Sequence, residues 1–196
     1  MPYFIALVTA LFLTGPVPAQ QEAKSGSSGL RPALLVIDIQ NAYLPMVEER
    51  EREVALYVIN AVIDLFRKMN YPVIRIYHSD ISEGPEPGSQ DFEFPESVKI
   101  RPDDPMVIKH YASGFKKTDL EKILKEKNVN TVFVCGLSAV GCALATYIEA
   151  GDLDYNAFIV KNALMSHNSG YTQNIEEMFN ALGYTAIKVM LENAIH

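Results

Sequence analysis

TVFVCGLSAVGCALATYIEA, residues 131–150, reads as one strand turning into one helix. After Thr131 the run Val132-Phe133-Val134-Cys135 is continuously apolar, the pattern of a strand covered on both faces, and Gly136 closes it. From Ala139 to Ala150 the residues become small and helix-compatible, and Gly151 ends the run. A buried strand feeding a helix is the unit from which parallel sheets are assembled.

The same unit recurs on both sides of this stretch. Ala33-Leu34-Leu35-Val36-Ile37 is a buried strand ending at Asp38, followed over residues 47–69 by a helical pattern. Val54, Val58, Ala61, Val62, Leu65 and Phe66 recur there at three- and four-residue spacing. Residues 72–77 and 106–109 read as strands, and Thr118 opens a helix that runs to about Lys127. Residues 156–160 read as a fifth strand, 171–182 as a helix ended by Gly183, and 185–189 as a sixth strand. Residues 81–105, rich in Pro, Gly and acid, have no periodicity and read as a loop. The sum is an α/β fold, three layers (α/β/α) around a mostly parallel, roughly six-stranded sheet of Rossmann-like kind.

Composition narrows the partners. The chain has 196 residues, enough for one core, with 48 % hydrophobic and 21 % charged residues. Its formal charge of -7 argues against nucleic acid, which demands clustered Lys and Arg to displace counterions. The run Glu48-Glu49-Arg50-Glu51-Arg52-Glu53 mixes signs and reads as the solvated start of a helix.

The amino terminus differs in kind. Residues 4–13 are apolar and uncharged, Gly15-Pro16 breaks the run, and Val17-Pro18-Ala19 suits an export peptidase, although no Lys or Arg precedes the run. Residues 1–19 are therefore expected to be a signal peptide, 20–31 a flexible Ser/Gly-rich lead, and 32–196 the folded domain. This implies export to the periplasm or medium, with no stable membrane association after cleavage. The alternatives are a retained anchor, an apolar arm packed on a partner, or a cytoplasmic protein.

In open parallel sheets ligands bind beyond the carboxyl ends of the strands. Those ends deliver Asp38 and Gln40, then Tyr77 and His78, then Lys109, then Gly136 and the turn leading to Cys142. An acid, a base and a thiol thus converge on one rim. Each has a plainer reading: Asp38 as a helix cap, Lys109 as a snorkelling side chain, Cys142 as a small packing residue. Cys142 stands out because unpaired amides at a helix start favour a thiolate and can hold an oxyanion. Cys135, inside a strand, reads as core.

LLVIDIQNAY (34–43), VIKHYASGFKKTDLEKIL (107–124) and VFVCGLSAVGCALATYIEA (132–150) resemble the three signature blocks of the isochorismatase-like hydrolases, in order and spacing. The resemblance implies an Asp38–Lys109–Cys142 triad and an oxyanion hole from the backbone amides of Ser138 and Cys142. It also implies a cis peptide between Leu137 and Ser138. The implied activity is amide hydrolysis of a small molecule through a Cys142 thioester, with a thiolate at neutral pH and no cofactor. Homo-oligomers are common in the family. Gln40 would orient the site, and Tyr43, Tyr77, His78 and Phe115 would line a substrate pocket. The loop over residues 81–96 would cover the pocket or join a subunit contact.

The chain departs from the pattern in three places. Ala139 replaces the family's Thr, Val140-Gly141 replaces a polar pair, and Lys161-Asn162 stands where an acid often follows the fifth strand. Nicotinamidases of the family hold a metal with an Asp-x-His and further histidines. Here only His78, His110, His167 and His196 occur, without that spacing, so no metal is expected. Two other readings stay open: an isochorismate-type vinyl ether hydrolase, and a non-catalytic exported binding or scaffold domain on the same fold.

Overall fold

A computed structural model describes residues 29–79 and 84–194; the expected signal peptide, its cleavage point and most of the flexible lead lie outside the described residues. The apolar runs form β1 (Pro32–Ile37), β2 (Val73–His78), β3 (Met106–Lys109), β4 (Thr131–Leu137) and β5 (Asn156–Met165). They make one all-parallel sheet in the order β3-β2-β1-β4-β5. The helices are α1 (Glu49–Lys68), α2 (Leu120–Glu126), α3 (Cys142–Asp152), α4 (Ser169–Met178) and α5 (Tyr184–Glu192).

Central β1 shows why the fold has three layers. All six of its residues are buried, and they alternate between two cores because successive side chains leave opposite faces. Leu34 and Val36 pack with Ile59 and Phe66 of α1 and Ile187 and Leu191 of α5. Ala33, Leu35 and Ile37 pack on the other face with Leu120 and Leu124 of α2, Ala143 and Ala150 of α3, and Ile175 of α4. A fully buried aliphatic of this kind contributes about 1.5–3 kcal/mol.

Four details differ from the sequence reading. The sheet has five strands, because residues 185–189 lie in α5. Thr185, Ile187 and Val189 alternate like a strand, but Ile187 and Leu191, four apart, are the residues that find the core, and that spacing is helical. In α1 the buried face is Ala55, Ile59, Val62, Ile63, Leu65 and Phe66, whereas Val54 stays 46 % exposed. β5 continues past Val160 to Met165 through an irregular step, with Asn162 at a φ of 60°. Finally, α3 starts at Cys142, three residues later than the composition of the stretch indicates, so the thiol lies in the first helical turn.

Three residues of the described part of the long loop are buried. Phe92, Phe94 and Val98 are buried in the α1-side core. Among the described residues no helix is long and apolar enough to cross a membrane. The chain winds outward through β2 and β3, then returns to place β4 against β1. The switch point of the sheet is therefore between β1 and β4, where Asp38 and the turn to Cys142 emerge.

Candidate active site

The site is built first by backbone. Gly136 ends the register with Ile37 at a φ of 113°, and a Cβ there would fall 2.0 Å from the Ile37 carbonyl oxygen. Only glycine lets β4 come this close to β1. One residue beyond Ile37, Asp38 itself adopts a left-handed conformation with φ 52°, tolerable for Asp but costing about 1–3 kcal/mol. The peptide between Leu137 and Ser138 is cis, as the resemblance implies. Ala139 donates its N–H to Met165 O at 2.8 Å, fixing the loop to β5. Among the described residues the amides of Ser138 and Cys142 make no backbone hydrogen bond outside the helices and strands.

The three expected catalytic side chains meet. Lys109 Nζ lies 2.7 Å from Asp38 Oδ2, with Lys109 completely buried and Asp38 nearly so. The other carboxylate oxygen, Oδ1, is buried without a hydrogen-bond partner among the described residues. The Cys142 sulfur lies within 4.8 Å of a carboxylate oxygen of Asp38 and a ring nitrogen of His78. Behind it, Thr146 donates its hydroxyl to Cys142 O at 2.7 Å and accepts from Gly114 N at 2.9 Å. This tie between α3 and the loop after β3 has no counterpart in the sequence reading; its signal is a lone hydroxyl four residues after the cysteine.

Electrostatics set the resting proton. Burial pushes the Asp38 carboxyl up to about 6, against the Lys109 charge and hydrogen bond and a smaller opposing effect of Cys142. Burial, then the facing Asp38 charge, pushes the Cys142 thiol up to about 11, with Lys109 pulling the other way. This direction runs against the expected resting thiolate: burial favours the neutral thiol, and the Lys109 charge opposes it. Desolvation outweighs what the lysine supplies. Burial also pushes Cys135 far up, and its sulfur touches Leu35 O at 3.4 Å, as suits a core residue.

A cavity of about 320 Å³ opens above the sulfur, lined by Asp38, Tyr43, His78, Gly84, Leu137, Ser138 and Cys142. Tyr43 and His78 line it as expected. Tyr77 does not: alternation turns it into the core, its ring stacked 4.8 Å from that of Phe92 and tilted 4.4 Å from that of Phe94. Phe115 is also core, its ring 5.9 Å from that of Tyr155. Gln40 is fully buried and braces the neighbouring strand end, accepting from His78 N at 2.7 Å and donating to His78 O at 3.0 Å.

Asp38, His78 and Cys142 carry donor atoms of the types that bind a soft divalent ion, clustered within 4.8 Å. Lys109, however, places its ammonium 2.7 Å from Asp38 Oδ2 and 3.0 Å from His78 Nδ1, where it opposes a cation by charge and competes for the lone pairs.

The parallel sheet gathers a carboxylate, an ammonium and a thiol at one rim, beyond the carboxyl ends of its strands. The chain belongs to the isochorismatase family: residues 32–187 match the Isochorismatase domain model. It is 33 % identical over 138 residues to an uncharacterized isochorismatase family protein, YddQ, of Bacillus subtilis (strain 168), covering 67 % of this chain and 76 % of the relative. The fold matches a cysteine hydrolase from Pseudomonas syringae pv. phaseolicola 1448A with TM-score 0.71 at 21 % identity, covering 84 % of this chain and 93 % of the other. It also matches N-carbamoylsarcosine amidase from Thermoplasma acidophilum with TM-score 0.68 at 24 % identity, covering 79 % and 95 %.

Proposed function

We propose that this isochorismatase-like hydrolase cleaves a small, uncharged amide through a covalent thioester at Cys142. The carrying observation is the division of labour within one carboxylate: Oδ2 of Asp38 is held by Lys109, Oδ1 has no hydrogen-bond partner among the described residues, and a carboxylate oxygen of Asp38 lies within 4.8 Å of the Cys142 sulfur. As substrate enters, Oδ1 takes the Cys142 proton and the sulfur attacks the carbonyl carbon. The amides of Ser138 and Cys142 receive the oxyanion. Asp38 then gives the proton to the departing amine. Water, deprotonated by Asp38, attacks the thioester; the acid leaves and the proton returns to sulfur.

Pocket chemistry supports a neutral substrate. The cavity is at the small end of ligand sites. No Lys or Arg lines it among the described residues, and the sequence between Ser79 and Gly84 supplies none. The nearby ammonium among the described residues, that of Lys109, is buried and engaged. A dicarboxylate such as isochorismate would enter without a counter-charge, whereas an amide with a compact apolar acyl group would not need one. The fold neighbour named as an amidase agrees with this reading.

The test is a panel of small neutral amides and isochorismate, with wild type and Cys142→Ala. Amide turnover that disappears in Cys142→Ala is expected. Isochorismate cleavage surviving in that variant would overturn the proposal.

A further inference from the structure

His78 lies in direct register with Lys109 across the β2–β3 pair. Its Nδ1 is 3.0 Å from Lys109 Nζ. An ammonium carries three N–H donors and no lone pair, so in any contact with it the imidazole nitrogen must accept. Lys109 is completely buried, and no bulk water can satisfy a proton that the protein leaves unpaired. Asp38 Oδ2 takes one proton and His78 Nδ1 stands where a second is received.

The backbone of His78 is fixed for this duty. Gln40, on the β1 end, uses both its amide oxygen and its amide nitrogen on the His78 N–H and C=O. β1 therefore presents Asp38 to Lys109 and, two residues later, holds the residue that approaches Lys109 from the other side.

Resting on the hydrolase reading above, we infer that His78 is a positioning residue: its Nδ1 accepts a hydrogen bond from the Lys109 ammonium and aims that ammonium at Asp38 and Cys142. This assigns His78 more than a place in the pocket wall. It also fixes the neutral ring as the tautomer protonated on Nε2.

Two measurements on the full chain test this without a substrate. Nitrogen-15 NMR of histidine-labelled protein reads the tautomer directly; His78 bearing its proton on Nε2 is expected, and a proton on Nδ1 overturns the inference. Alkylation of Cys142 by iodoacetamide at neutral pH reads how well the triad is set. His78→Leu is expected to slow labelling by about tenfold or more, because a buried ammonium loses an acceptor. His78→Asn, whose Oδ1 can occupy the position of Nδ1, is expected to restore most of the rate. Labelling of His78→Leu at the wild-type rate, or a folded His78→Asn no faster than His78→Leu, overturns the inference. Should His78→Leu fail to fold, the tautomer and the rate of His78→Asn relative to wild type decide it. Failure to find amide turnover would count against the proposed hydrolysis and leave both measurements standing.

Discussion

Lys109 holds one oxygen of Asp38 at 2.7 Å and leaves the other without a hydrogen-bond partner among the described residues. A single carboxylate is thereby anchored and still free to accept a proton. Removing the anchor exposes the cost of burying it. Lys109→Met should destabilise the protein by about 3–5 kcal/mol at neutral pH, since it strands a buried charge. Urea unfolding measures this, and the gap to wild type should shrink toward pH 4, where Asp38 is protonated and has no charge to strand.

The raised Asp38 carboxyl also sets the acid limb of activity. The base exists only when ionised, so kcat/KM should fall about tenfold per pH unit below about 6. Its effect on stability has the opposite sign. A carboxyl raised in the folded state from 3.8 to about 6 contributes stability fully present below 3.8 and lost as pH rises through about 6. Activity profiles and urea midpoints across this window, in wild type and Asp38→Asn, should show the Asp38 contributions moving in opposite directions.

Gly136→Ala should be among the most damaging single-methyl additions in the chain. The new Cβ would stand 2.0 Å from Ile37 O at a φ of 113°, so β4 must withdraw from β1 next to Asp38. A loss of about 3 kcal/mol or more is expected, measured by thermal unfolding. Activity should fall even at temperatures where the variant stays folded.

Thr146→Val keeps shape and removes the hydroxyl that joins Cys142 O to Gly114 N. Leaving the Gly114 amide buried and unpaired should cost about 1–3 kcal/mol. Thr146→Ser should recover most of that loss in the same unfolding assay.

Much of this was legible in the residues. Five largely apolar segments announced the parallel sheet, and Asp38, Lys109 and Cys142 were readable because each is the first reactive group at the end of its strand or turn. What escaped depended on which face a side chain takes. Tyr77 and His78 are adjacent, yet a strand sends one into the aromatic core and the other to the rim. The 185–189 segment satisfied two periods at once, and burial of Ile187 together with Leu191 in the core chose the helix. The resting proton of Cys142 was hidden for another reason. Sequence displays the helix start and the lysine, but not the burial that outweighs them.

The most direct measurement is the intact mass of the protein quenched during turnover of a small amide that it hydrolyses. An added acyl mass, mapped by peptide sequencing to Cys142 and absent from Cys142→Ala, is the predicted result. Continued hydrolysis by Cys142→Ala, with no acyl mass on the wild-type protein, would contradict it.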